Sequence, residues 1–236
     1  MLGRFLEISI HTPEIRESLA FYESLGLVQA VTSDVWPHHY AVVTDGSVAL
    51  GLHEYEFPSP SLTWVLPGLA RHLTSLSDAG LEFEFLKTGE DQFHELGFRD
   101  PDGQMVTILE ARTYSPPSDR VPPPAIGFFR EYRYPVRRPS DSADFWEPLG
   151  FVALRQEEDA ECPTVLTSDG IDVCVFEGRP RPPALVFDCP DMTAAADTLE
   201  RLGITARSTR DPVSGDDSLH FDAPEGTPLI LLPESV

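Results

Sequence analysis

Internal repetition constrains the fold of this chain more than any other feature of its sequence. Sliding the 236 residues along themselves by 124 positions lays Glu7 on Glu131, Ser18 on Ser142, Phe21-Tyr22 on Phe145-Trp146, and Leu25-Gly26 on Leu149-Gly150. The match runs without a gap as far as Asp45-Gly46 against Asp169-Gly170. Further on the offset slips to 123, so that GFRDPDGQ (97–104) lies over HFDAPEGT (220–227) and Leu76…Gly80 over Leu199…Gly203. Self-similarity on this scale predicts two halves of one pattern, each able to bury a core. Between them runs TYSPPSDRVPPPAIG, whose five prolines read as a stiff, extended linker. The expected organisation is a first domain over 1–113, a linker over 114–126 and a second domain over 127–236.

Within the first half the pattern reads strand, helix and three strands, performed twice. FLEISIH alternates, with Leu6, Ile8 and Ile10 on one face and Glu7, Ser9 and His11 on the other. In TPEIRESLAFYESLG, Thr12 can cap and Pro13 suits the first helical position. Ile15, Leu19 and Tyr22 recur at helical spacing, and Gly26 stops the helix. HYAVVTDGSVALGLHE is two β-rich runs around Asp45-Gly46, a hairpin dipeptide; in the second run Val48, Leu50 and Leu52 face away from Ala49, Gly51 and His53. The next unit has the same order. SLTWVL alternates, GLARHLTSLSDAG reads as a helix closed by Gly80, LEFEFLK alternates, and a strand pair follows about the Asp100-Pro101-Asp102-Gly103 turn. Each sheet then has one apolar face for its helices and one mixed face of the kind that lines a cavity.

Charge narrows the partners. With 17 basic against 39 acidic side chains the chain carries −22, a field that repels nucleic acid and anionic lipid and favours cationic or neutral ligands. Neither nucleic acid nor a membrane is an expected partner. The three cysteines, Cys162, Cys174 and Cys189, have no CxxC spacing, and the N-terminal run lacks the build of a signal peptide. A cytoplasmic, disulfide-free protein without sulfur-bound zinc is expected.

The repeated βαβββ units, the phrases SLAFYESLGL and SADFWEPLGF after the first strand of each half, and DPDGQMVTILE resemble the vicinal-oxygen-chelate superfamily of glyoxalases, bleomycin-resistance proteins and extradiol dioxygenases. The resemblance implies an α+β fold, in which four βαβββ units form two domains with curved mixed sheets around pockets. It also implies a divalent metal held by the first and last strands of each unit. Carried over by position, the ligand places fall on Glu7, Gly51, Ser61 and Thr107 in the first half and on Glu131, Val175, Ala184 and Ile230 in the second. Two carboxylates, two weak hydroxyls and four side chains without a ligand atom make a poor metal set. No cofactor is expected. The alternative is a divalent metal in a displaced site built on Glu7 and His53, with His39 or His94.

Strand parity predicts a first pocket of Glu7, Ser9, His11, Ala49, Gly51, His53, Ser61, Thr63, Met105 and Thr107. The second pocket would present Glu131, Arg133, Val173, Val175, Glu177, Ala184, Val186, Asp188 and Ile230. Glu131 and Arg133 share a face and can pair. Glu7 can serve as a general base, as an acceptor for a ligand, or as a structural group. Parity turns Cys174 toward the helices, and no nucleophile elbow or phosphate loop is present. Trp36, Tyr40, Tyr55, Phe93 and Phe98 can stack on a ring-bearing ligand. The sequence is thus most like a metal-free small-molecule-binding member of the superfamily, with a metal-dependent lyase, isomerase or dioxygenase as the alternative. It is expected as a monomer or a homodimer.

Overall fold

The computed structural model describes residues 1–31, 36–110, 122–155 and 163–234. Most of the proline-rich linker, the 113/114 boundary and Cys162 lie outside the described residues. The alternating runs form strands in chain order: β1 (Arg4–His11), β2 (Val28–Ala30), β3 (Tyr40–Thr44), β4 (Ala49–His53), β5 (Ser61–Val65), β6 (Phe83–Lys87), β7 (Glu95–Arg99) and β8 (Met105–Leu109). The second half supplies β9 (Phe128–Val136), β10 (Val152–Arg155), β11 (Thr164–Ser168), β12 (Ile171–Glu177), β13 (Ala184–Cys189), β14 (Arg207–Arg210), β15 (Asp217–Asp222) and β16 (Pro228–Pro233). Each half forms its own eight-stranded mixed sheet, in the orders β2-β3-β4-β1-β5-β8-β7-β6 and β10-β11-β12-β9-β13-β16-β15-β14. Two units therefore join edge to edge through their first strands, antiparallel in both halves.

The helices are α1 (Ile15–Ser24), α2 (Leu73–Asp78), α3 (Pro139–Trp146) and α4 (Met192–Arg201). Helix α1 begins later than its expected cap: Thr12 lies outside it but still accepts the Glu14 N–H at 3.2 Å and bonds Ser18 at 2.8 Å. The helix expected over 68–80 is broken into a 3-10 turn and the short α2, pinned by fully buried Leu69 and Leu76. Gly26 and Gly150 follow the first helix of each half at φ 99° and 109°, a conformation that costs a glycine little. The apolar faces of both sheets join one core, in which Trp64 of β5 lies 6.3 Å from Trp146 of α3. Burying such rings contributes about 1.5–3 kcal/mol apiece.

The repeated residues also lock the halves together. Glu225, in the β15–β16 turn, accepts from Ser18 and Tyr22 of α1, both at 2.7 Å. Its counterpart Asp102, in the β7–β8 turn, accepts the Arg137 N–H at 2.9 Å and the Ser142 hydroxyl of α3 at 3.4 Å. Each half thus presents an acidic turn to the first helix of the other.

Register corrects one expectation. Ser9 pairs with Gly51 across β1–β4, whereas Arg133 pairs with Cys174 across β9–β12. The one-residue slip therefore occurs between β10 and β11, ahead of the Asp169-Gly170 turn. Because side chains alternate, one residue exchanges the two faces. Cys174 lies on the mixed face, while Val173 and Val175 belong to the core.

Candidate functional site

On the mixed face of the first sheet, Glu7 stands just past a bulge in β1 and is 1% exposed. Its Oε1 accepts from the Ser9 hydroxyl at 2.9 Å and from His53 Nε2 at 2.8 Å, and its Oε2 accepts from the Tyr40 hydroxyl. Ser9 continues to Thr63 at 2.8 Å. Gly51 is what admits this arrangement, since a Cβ there would overlap the Glu7 carboxylate. The strands thus bring together Glu7, Ser9, Gly51, His53 and Thr63. Ser61 lies opposite Ser9 and Thr107 opposite Thr63 on the same face. His11 is turned to the rim, with Nδ1 at 2.8 Å from the Tyr55 carbonyl.

The line of hydrogen bonds continues outward. A carboxylate only accepts, so His53 Nε2 carries a proton, and Nδ1 of the same ring lies within hydrogen-bond distance of His38 Nε2, at 2.9 Å. His38 is half-buried; burial, with the imidazoles of His53 and His39 nearby adding to it, holds its pKa below the ordinary imidazole value. Trp36, Tyr40 and Phe57 surround the His53 ring at centroid separations of 5.1, 4.6 and 5.6 Å, and Tyr55 stacks on His38 at 5.3 Å. Of the aromatic residues expected near a ligand, Phe98 is instead in the core and Phe93 is exposed. His38 escaped sequence reasoning because it lies in a connection, where no strand period applies.

The second mixed face is filled differently. Arg133 donates through Nε to Glu131 Oε1 at 2.7 Å and through a terminal nitrogen to both oxygens of Asp211 at 2.9 Å. The side chains of this triad are 2%, 4% and 1% exposed. Burial opposes the Asp211 charge, but the Ser214 N–H and Arg133 hold its pKa below the usual carboxylate value. Burial also pushes the Cys174 thiol well up, with Glu131 adding to it, so Cys174 carries no thiolate at neutral pH. Ala184, Val186, Ile230 and Leu232 form a separate buried apolar cluster on this face. The expected Glu131–Arg133 pair is present; its third member, Asp211, had no sequence cue to a partner 78 residues away.

Neither face assembles the metal set of the resembled family. Glu7 and His53 bond each other, and the ligand places around them hold glycine and hydroxyls. His39 and His94, the proposed substitutes, pair elsewhere, with Glu54 at 2.5 Å and Glu110 at 2.6 Å. Among the described residues no three His, Cys, Asp or Glu side chains are grouped to hold a metal ion. The donors as arranged do not fit such a centre. Among the same residues no helix is long and apolar enough to cross a membrane.

No family model matches the sequence, and no curated protein matches it in sequence. Solved structures do match the fold. An extradiol ring-cleaving dioxygenase from B. fuscum superposes with a TM-score of 0.68 at 14% identity, over 99% of this chain and 72% of that one. The Mn(II)-bound glyoxalase from Novosphingobium aromaticivorans gives 0.67 at 15%, over 98% and 82%. The 2,3-dioxygenase LapB from Pseudomonas sp. KL28 gives 0.66 at 15%, over 99% and 92%. The chain has the vicinal-oxygen-chelate fold. At such identities the likeness speaks for architecture and leaves the chemistry to the side chains.

Proposed function

We propose that this chain is a cytoplasmic small-molecule-binding protein that uses the mixed face of its first sheet without a metal ion. The observation behind this reading is the hydrogen-bonded line from Glu7 through His53 to His38. It connects a buried carboxylate to a rim framed by Trp36, Tyr55 and Phe57. Such a rim suits a ring-bearing ligand, and the net charge of −22 favours a neutral or cationic one. Glu7 serves here as a positioning residue, acting on the ligand through the two imidazoles. The second face is structural, held by Arg133. The test is thermal shift against cationic aromatic compounds. A ligand at 100 times its Kd adds about 2.7 kcal/mol, or roughly 5–11 °C for a chain of this size. The shift should vanish in His38→Ala and Trp36→Ala; if no compound raises the melting temperature, the reading fails.

The second reading is a metal-dependent lyase, isomerase or dioxygenase. It is favoured by the fold shared with a Mn(II)-bound glyoxalase and with dioxygenases. Elemental analysis of protein purified without a metal-binding tag separates the two. A stoichiometric transition metal that is lost in Glu7→Ala would establish this second reading and overturn the first.

A further inference from the structure

We propose that a cleft between the two halves is a separate binding site, for a small organic carboxylate. The cleft is bounded by the β4–β5 loop (Pro58, Ser59, Pro60), the β7–β8 turn, β9 (Tyr134, Pro135) and the β12–β13 loop (Pro180, Arg181, Pro183). Its volume is about 230 Å³. That is below the range of drug-sized pockets and suits a small occupant. Five prolines form the walls, and buried Tyr134 and Met105 supply apolar surface. Proline has a fixed φ and no rotamers to lose, so these walls are ordered before a ligand arrives.

The sign of the ligand follows from the charges. Among the described residues Asp102 is the only carboxylate lining the cleft, and it is committed to the Arg137 N–H, the Ser142 hydroxyl and the Arg137 guanidinium at 3.5 Å. Arg181 forms no ion pair among the described residues, and neither does Arg179 on the same loop. The Arg181 guanidinium lies over the Phe176 ring at 5.2 Å, and its N–H groups make no hydrogen bond among the described residues, which leaves their edge for an acceptor. That edge presents the paired donors that match a carboxylate. Ser59 accepts the His11 N–H at 2.9 Å and keeps its own hydroxyl proton to donate. The overall charge of −22 is screened beyond about 8 Å at physiological salt, so the local arginine decides what enters.

Isothermal titration of the full chain with sodium benzoate tests this assignment, with methyl benzoate and benzamidine as the uncharged and cationic probes. Benzoate should bind, and the two other probes should not. Arg181→Gln should weaken benzoate binding by at least about tenfold, as expected for loss of a paired, charge-assisted contact, with Ser59→Ala weakening it less. Circular dichroism and the ligand-free melting temperature of each variant report whether it is folded. The assignment is overturned if benzoate does not bind the unaltered chain, if its affinity survives Arg181→Gln in folded protein, or if methyl benzoate binds equally well.

Discussion

Replacing Arg133 by methionine would take one guanidinium from between two carboxylates and leave both of them buried. The side chains of Glu131 and Asp211 are 4% and 1% exposed, so water cannot substitute for the lost partner. Removing one member of a buried ion pair costs about 3–5 kcal/mol, which for a chain of this length lowers the melting temperature by roughly 6–20 °C. Methionine keeps most of the aliphatic stem, so the loss reads charge and hydrogen bonding more than packing. The pH dependence supplies a second arm. In the unaltered chain Asp211 has a depressed folded pKa, so its contribution is present above the unfolded value and is lost as the pH falls through the folded one. Without Arg133, burial remains and lifts that pKa. The deficit of Arg133→Met should therefore be full at pH 7 and shrink as the pH is lowered toward 4. Urea unfolding at both pH values measures it. A deficit under about 1 kcal/mol, or one that is the same at both pH values, refutes the argument that this guanidinium neutralises the second face.

Three further outcomes are expected. Glu225→Ala removes the acceptor for Ser18 and for the fully buried Tyr22, and should cost about 2–4 kcal/mol in urea unfolding, with a smaller loss for Glu225→Gln. Gly51→Ala places a Cβ on the Glu7 carboxylate, which should destabilise by about 1–3 kcal/mol and weaken ligand binding at the first face; an unchanged melting temperature would contradict the packing described. Burial lifts the phenols of Tyr22, Tyr132 and Tyr134, with Glu225 adding to the first and Asp100 to the other two. The folded chain holds those protons more tightly, so stability should be full below about pH 10 and fall as the pH rises beyond it. A flat alkaline profile would contradict the burial of these hydroxyls.

Much of the architecture was legible because the repeat counts the units and alternation assigns their faces. Parity placed Glu7, Ser9, Gly51, His53, Ser61 and Thr63 on one surface, as the registers of β1, β4 and β5 have them. It failed at β12, where the offset had slipped one residue sooner than the Asp-Gly matches suggested, and Cys174 and Val175 exchanged faces. A period of two has no tolerance for such a slip. His38 and Asp211 were invisible for another reason. Both lie in connections, and their partners are set by how the chain returns, which no local spacing encodes. The acidic turns at Asp102 and Glu225 read only as turns, although their carboxylates reach across to the other half.

Those reciprocal turns carry a consequence for how such a chain can diverge. In a dimer of identical subunits every substitution appears on both sides of the axis, so both hollows must change together. Here the same kind of self-complementary grip lies inside one polypeptide, and each hollow is spelled by its own codons. One could fill with Arg133 and its carboxylates while the other retained the open backbone at Gly51 that seats Glu7 beside His53. Two copies in one chain need not match, so each side is free to specialise without the other.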